Sequence, residues 1–326
     1  MQANTFKVRV DSIRDEAHGI RSFRIARVDG QPFESYEPGA HIDVTAPSGI
    51  TRQYSLCGDP AFSAFQLFAV KREPESRGGS RSLHDDVGIG CELLVGPPRN
   101  LFRLDAQASA HVLIGAGIGI TPLLSMAYRL AARNEPFVLH YFARSEAHAA
   151  FLPVLAQEPF ASHVRFHFGI GNGDLAAALR ECLAGVRDGA HVYTCGPAPF
   201  MDEVVSVGEA TPGVAQVHLE RFGADPAAVA AMDSGAAQGE FDVKIASSGQ
   251  VVRVGKEQSI VDALAAIGIE IDTSCGEGVC GTCMVDVAEG EPEHRDHCLS
   301  KAERASNKVI CCCVSRSRSP MLILDV

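Results

Sequence analysis

Short, partly alternating apolar runs fill the first third of the chain: Phe6 to Val10, Ile20 to Ala26, His41 to Thr45 and Phe65 to Lys71, with Gly, Pro, Asp and Ser between them. Alternation buries one face of a strand, and strands this closely spaced predict a barrel or sandwich over residues 1–105. The pattern changes near Ala108. A short apolar strand, His111 to Ile114, runs into Gly115-Ala116-Gly117-Ile118-Gly119, and helical spacing follows from Pro122 to Arg133. A strand at Phe137 to Phe142, a helical stretch at Ala149 to Gln157, and the segments Val164 to Phe168, Leu175 to Leu183 and His191 to Thr194 continue the alternation. That order predicts a doubly wound α/β unit on a parallel sheet. Ala224 to Gly239, rich in Ala, Gly and Asp, reads as a linker, part of it helical. Phe241 to Ile245 and Val251 to Val254 then read as a hairpin and Ile260 to Ile267 as a helix, with a cysteine-rich loop beyond.

A length of 326 residues suits two or three such domains. The net charge of −11 argues against a nucleic-acid partner, because neutralising phosphates needs a basic face. No apolar run is long enough for a bilayer, and Met1 to Val10 lacks the apolar core of a signal peptide, so a cytoplasmic protein with no membrane partner is expected. Most of the eleven cysteines lie in the last quarter. In a reducing compartment, such clustering points to a metal or cluster rather than to disulfides.

Cys275, Cys280 and Cys283 are spaced C-x4-C-x2-C, and Cys313 lies thirty residues further on. This is the plant-type ferredoxin arrangement for a 2Fe–2S cluster, which takes four thiolates. Gly276, Gly278 and Gly281 let the backbone fold closely around a small cluster and turn N–H groups toward its sulfurs. Zinc is the competing reading, but zinc sites usually pair two C-x2-C units or add histidine, and only one such unit is present. Because Cys311, Cys312 and Cys313 are consecutive, the fourth ligand is Cys313 by spacing, with Cys311 as the alternative. Cys298 reads as a bystander, and Cys91 and Cys182 as small apolar fillers.

Two further signals concern cofactors. Gly115, Gly117 and Gly119, with Thr121 and Pro122, sit between a strand and a helix, where glycine admits a pyrophosphate and the helix N-terminus supplies donors. The third glycine comes one place early for G-x-G-x-x-G. Cys195, Gly196 and Pro197 end a later strand at the ligand-binding edge of such sheets, where a cysteine can face a nicotinamide ring. In the strand-rich region, Arg52-Gln53-Tyr54-Ser55 combines a phosphate-pairing guanidinium with a ring and a hydroxyl suited to a flavin. Gly78-Gly79-Ser80, followed by Leu83, offers backbone donors to close over a phosphate.

These motifs together resemble the phthalate dioxygenase reductase family, within it the vanillate demethylase reductase type, over essentially the whole chain. Glu289 to Asp296 and the ending Cys313-Val314-Ser315-Arg316 add to the likeness. The resemblance implies a multidomain β + α/β + α+β chain: a ferredoxin-reductase-like FMN-binding β-barrel over 1–105, a Rossmann-like NAD(P) domain over 106–228, a linker over 229–239, and a plant-type ferredoxin (β-grasp) domain over 240–326. It implies that Arg52 and Ser80 hold the FMN phosphate with Tyr54 and Ser55 near the isoalloxazine. It implies too that Thr121 and Cys195 sit where nicotinamide and flavin meet, and that Phe222, in Glu220-Arg221-Phe222, borders the flavin. Ser55, Thr121 and Cys195 are thus the candidates for contact with the reacting atoms.

The expected activity is a relay from NADH through FMN to the cluster, and on to a terminal Rieske-type oxygenase or demethylase acting on an aromatic substrate. A haem-thiolate monooxygenase as acceptor is the alternative; a cluster-based redox sensor is the rival from another class. NADH is favoured by the resemblance, although Arg144 follows the second α/β strand where a 2′-phosphate would lie. Residues 240–326 carry 14 acidic and 9 basic residues, and the acidic run from Asp286 to Asp296 suits the steering of a basic partner.

Overall fold

A computed structural model describes residues 5–74, 78–223, 239–273, 275–299 and 301–326. The chain packs as two units, one running to Glu220 and the other from Arg221 onward. The expected linker at 224–239 lies outside the described residues except for Gly239. Among the described residues no helix is long and apolar enough to cross a membrane.

The first unit opens with six antiparallel strands: β1 (Phe6–Ala17), β2 (Ile20–Arg27), β3 (His41–Thr45), β4 (Thr51–Ser55), β5 (Gln66–Lys71) and β6 (Glu92–Val95), with a short helix α1 (Gly79–Asp85) between the last two. The sheet order is β4-β3-β6-β1-β2-β5, and a bridge from Leu56 to Phe68 joins its two edges into a barrel. Inward residues of every strand fill it, among them Val8, Phe23, Ile42, Val44, Phe68 and Val95, with Phe23 stacked on Phe68 at 5.3 Å.

Five parallel strands follow: β7 (His111–Ala116), β8 (Phe137–Ala143), β9 (Val164–Phe168), β10 (Ala190–Cys195) and β11 (Val214–Glu220). Their order is β11-β10-β7-β8-β9. The chain leaves β7 toward β8 and β9 on one side, then returns to lay β10 and β11 on the other. The crevice at the carboxyl ends of β7 and β10 is therefore the topological switch point, where open α/β sheets bind ligands. Helix α2 (Ile120–Ala132) covers one face through Leu123, Leu124, Ala127 and Leu130. Helix α3 (Leu152–Leu155) is only one turn of the longer helix expected there; Phe151 at φ 60° and Pro153 at its start restrict it. Helices α4 (Leu175–Cys182) and α5 (Ala198–Glu209) cover the other face. The α2 core runs on into barrel residues Ile20, Cys57 and Ala69, which explains why barrel and α/β sheet pack as one unit.

The second unit contains β12 (Phe241–Ile245), β13 (Val251–Val254), α6 (Ile260–Ala265), β14 (Met284–Glu289), β15 (Pro292–Glu293), α7 (Lys301–Ser306), β16 (Val309–Cys311), β17 (Arg316–Ser317) and β18 (Met321–Asp325). Its main sheet runs β13-β12-β18-β14-β16, with β12 and β18 parallel and the other pairs antiparallel. Ser259 caps α6 by accepting from the Asp262 amide at 3.0 Å. The helix ends earlier than expected, as Gly268 turns at φ 82°. Buried Arg316 ties this unit together: its guanidinium donates to the carbonyls of Gln258 (3.0 Å), Gly239 (3.1 Å) and Gly255 (2.8 Å), and lies over the Phe241 ring. Arg316→Met leaves those carbonyls without their charged donor, a loss of about 2–4 kcal/mol. The expected readout is amide exchange in β12 and β18 at least ~30-fold faster, with β7 and β10 unchanged; unchanged exchange in β12 would show that Arg316 is not a tie.

Candidate functional site

At the switch point, three parallel strands bring Gly115, Cys195 and Glu220 side by side. The glycines of the first loop do different jobs. A Cβ on Gly119 would sit 2.1 Å from the Cys195 carbonyl oxygen, and one on Gly115 would sit 2.8 Å from Leu123 Cδ1. These two let α2 close against β10 and β7. Gly117, at φ 56° with nothing within 4 Å of a Cβ, is the one whose open side is left for a ligand. Gly196 completes the clamp, since its Cβ would press on Ala116 and Phe200 at 3.0 and 3.1 Å, and Pro197 starts α5 immediately beyond.

Thr121 is buried, and its hydroxyl donates to the Ile118 carbonyl at 3.0 Å, so it holds the shape of the loop. The Cys195 thiol is fully buried; burial, and next the Glu220 carboxylate, push its pKa well above the ordinary thiol value. It is a neutral wall of the crevice, not a nucleophile.

The barrel meets this crevice through β3 and β4, whose register sets Ser55 opposite His41. Ser55 is buried and its hydroxyl donates to Glu220 Oε2 at 3.2 Å, while His41 Nδ1 lies 3.8 Å from Glu220 Oε1. Glu220 thus joins the two sheets at the point where nicotinamide and flavin are expected to meet. It and His41 are site residues that sequence reasoning left out of the candidate set, although Glu220 stood in a quoted motif. Phe222 falls in the other unit and is 45% exposed.

Alternation along β4 turns Arg52 and Tyr54 to one face and Gln53 and Ser55 to the other. Tyr54 packs on Phe68 at 5.6 Å, and burial pushes its hydroxyl up to about 12. Arg52 lies beside the start of α1: a Cβ on Gly79 would be 3.3 Å from Arg52 Cγ. Gly78, at φ 109°, precedes it, and Ser80 Oγ accepts from the Glu73 amide at 3.2 Å. A guanidinium, two glycine amides and a hydroxyl therefore gather on one edge of the barrel, a donor set that fits a phosphate.

In the second unit, the cysteine loop folds back on the turn after β16. Gly276, Gly278 and Gly281 all have φ between 65° and 69°. A Cβ on Gly278 would strike Val314 at 2.6 Å and Asp296 Cα at 3.0 Å, so the loop closes only with glycine there. β14 pairs Met284 with Cys311, which brings the Cys312 amide to the Cys283 carbonyl at 3.1 Å. Cys275 neighbours Cys280 and Cys313, and Cys283 neighbours Cys311 and Cys313, closely enough for each thiol to shift the proton affinity of the others. Those thiol donors hold Cys275 and Cys283 well below the ordinary thiol range. Cys313 lies beside both Cys275 and Cys283, whereas Cys311, fully buried, lies beside Cys283 and beside Cys298, the latter at 3.2 Å. Amides of Glu277 and Thr282 point at the sulfurs of Cys275 and Cys280 at 3.3 and 3.5 Å. Four cysteines, three of them from one C-x4-C-x2-C loop with N–H donors at two of the sulfurs, fit a 2Fe–2S cluster.

The acidic run is less uniform than its sequence suggests. Asp296 is fully buried against Arg304 and accepts from the Leu299 amide, and Glu293 pairs with Arg295, leaving Asp286, Glu289 and Glu291 exposed.

A 2Fe-2S iron–sulfur cluster binding domain model matches residues 243–318, and a model of the dimethylamine monooxygenase subunit DmmA-like N-terminal domain matches residues 92–216. Over 322 residues the chain is 40% identical to a vanillate O-demethylase oxidoreductase of Pseudomonas sp. (strain HR199 / DSM 7063), spanning 98% of this chain and 99% of that protein. Among solved structures it is similar to phthalate dioxygenase reductase, described as a modular structure for electron transfer from pyridine nucleotides to [2Fe-2S], with TM-score 0.70, 33% identity, and coverage of 99% of this chain and 98% of the other. It also matches an intact type IV self-sufficient cytochrome P450 monooxygenase with TM-score 0.85 and 33% identity; there 99% of this chain spans 41% of the longer protein. A barrel, a switch-point crevice and a four-sulfur loop on one chain define an iron–sulfur oxidoreductase, and the chain belongs to the phthalate dioxygenase reductase family. Within that family it is a reductase component of an oxygenase system, an electron-transfer reductase.

Two outcomes are expected. Cys313→Ser abolishes bound iron while Cys311→Ser keeps most of it, measured as iron per chain after anaerobic purification; equal loss in both would contradict the sulfur geometry. Gly119→Ala forces the α2 loop off β10 and destabilises the first unit by about 1–3 kcal/mol in urea unfolding, with weakened nucleotide binding; unchanged unfolding and binding would refute the close contact.

Proposed function

We propose that the chain oxidises NADH, passes the electrons through FMN to a 2Fe–2S cluster, and delivers them to a terminal Rieske-type oxygenase or demethylase acting on an aromatic substrate. The observation that carries this reading is the pairing of a four-sulfur loop in one unit with a nucleotide crevice and a barrel phosphate edge in the other. A bound flavin supplies the conversion between a two-electron donor and a one-electron acceptor. Arg52, Ser80 and the Gly78–Gly79 amides would hold its phosphate, and Tyr54 and Ser55 its ring, with Gln53 on the same face of β4 as Ser55. Gly117 and the start of α2 would take the pyrophosphate of the dinucleotide. Cys195 and the Glu220-bound Ser55 would bound the space for the nicotinamide, Thr121 fixing the loop and Ser55 keeping its proton on Oγ toward Glu220. Cys275, Cys280, Cys283 and Cys313 would ligate the irons, at a potential of about −400 mV for this ligand type.

The aromatic substrate class rests on the vanillate-named relative, and a cytoplasmic setting accords with the reduced cysteines such a cluster requires. Exposed Asp286, Glu289 and Glu291 would steer a basic patch on the oxygenase. NADH is preferred over NADPH by the family; Arg144 is exposed just past β8. A haem-thiolate acceptor is the second reading, supported by the likeness to the self-sufficient monooxygenase.

Full-length protein loaded with FMN should reduce cytochrome c steadily with NADH. Cys280→Ser should lose that activity by at least ~10-fold while keeping NADH-driven ferricyanide reduction, which needs only the flavin. Loss of both together, or no turnover with NADH, would overturn the relay and favour a sensor role.

A further inference from the structure

Cys182, which reads from the sequence as an apolar filler, does not lie among apolar neighbours alone. It is the last residue of α4, and α4 lies over the face of the α/β sheet that carries His140 and Phe142 of β8 and His167 of β9. Register pairs Phe142 with His167, and the two rings stack at 4.3 Å, which fixes the imidazole. His140 Nδ1 then lies 3.0 Å from His167 Nε2, and Cys182 Sγ lies 3.6 Å from the same Nε2. All three donor atoms fall within 4.8 Å of one another.

We propose that His140 Nδ1, His167 Nε2 and Cys182 Sγ form a zinc site in the α/β sheet, separate from the cluster cysteines. Zinc–nitrogen bonds of 2.0–2.1 Å and zinc–sulfur bonds of 2.3 Å at tetrahedral angles place two nitrogens about 3.3 Å apart and nitrogen and sulfur about 3.6 Å apart. Two sides of the observed triangle, 3.0 and 3.6 Å, are close to that before any ion enters, and the third, from His140 Nδ1 to Cys182 Sγ, is within 4.8 Å. Hydrogen bonding satisfies it poorly: a single lone pair on His167 Nε2 faces both a second imidazole nitrogen and a thiol.

The electrostatics agree. Burial, then the neighbouring His167, lowers His140 to about 4, and burial lowers His167 as well, so both imidazoles are neutral with free lone pairs near pH 7. Burial, and next Glu181, push Cys182 up to about 11, so the metal-free thiol keeps its proton. Binding Zn²⁺ therefore forms the zinc–sulfur bond and releases that one proton to solvent, with no change of oxidation state. His167 and Cys182 are only partly buried, which gives the ion an entry path and leaves the fourth position to water. One thiolate with two imidazoles suits zinc better than magnesium or calcium, which take oxygen ligands. The ion would pin α4 across β8 and the edge strand β9.

The test uses the full-length holoprotein, stripped of loosely bound metal by a chelator and given one equivalent of zinc chloride. Zinc K-edge X-ray absorption should show one sulfur at about 2.3 Å with nitrogen or oxygen at about 2.0–2.1 Å. Cys182→Ala and, separately, His167→Gln should weaken zinc binding by more than the ~100-fold that loss of an outer-shell partner costs, with iron per chain unchanged. A four-sulfur shell would place the zinc on the cluster cysteines and overturn the proposal. So would a sulfur-free shell unaffected by Cys182→Ala, which would point to the other His pair, His191 and His218 with Asp105, and so would failure to retain zinc. The wild-type spectrum decides the matter even if a variant fails to fold.

Discussion

Four thiols, each of which would be stable alone in an apolar pocket, are gathered beside one another by backbone that only glycine adopts cheaply. That constraint organises the second unit. Gly278 lies where any side chain would strike Val314 and Asp296. Asp296 is in turn a buried carboxylate whose Oδ2 faces Arg304 and accepts from the Leu299 amide. The β14–β16 ladder brings the distant Cys313 to the loop, and Arg316, three residues on, anchors the following chain to carbonyls at 239, 255 and 258. Ligand geometry and fold stability here depend on the same residues.

The first unit is built around a comparable close approach. Gly119 rests on the Cys195 carbonyl, so the loop after β7 and the loop after β10 open from one point, and Gly117 faces outward beside it. Glu220 joins the barrel to this point through Ser55 and His41. A contact between sheets from two halves of one unit fixes their relative placement more firmly than a flexible tether would, which would suit a site that has to hold two cofactors in register. The neutral, fully buried Cys195 thiol contributes shape at that meeting without contributing charge.

Local signals were legible in the sequence, and long-range ones were not. The cysteine spacing, the glycine loop and the strands Val164–Phe168 and Phe241–Ile245 depend on neighbours along the chain, and they appear where expected. β6 is four residues long and its burial alternates, but the exposed Leu94 hides that in the sequence, and β11 ends in residues that are merely half-buried. The helix expected over Ala149 to Gln157 shrinks to one turn because Phe151 takes a left-handed conformation just ahead of it. Cys313 is named over Cys311 by spacing alone; at the end of β16, Cys311 and Cys312 are buried and Cys313 is half-buried. Glu220 gained its role from parallel pairing with Cys195, and Cys182 from a helix crossing two strands. Neither of these last two relations has a one-dimensional signature.

The central claim is that the four sulfurs hold a pair of irons. Anaerobically purified full-length protein, assayed for iron and acid-labile sulfide and then examined by low-temperature electron paramagnetic resonance after chemical reduction, tests it most directly. The account predicts two irons and two sulfides per chain and a reduced-cluster signal. A folded chain with neither iron nor labile sulfide, or with zinc on those cysteines, would contradict it.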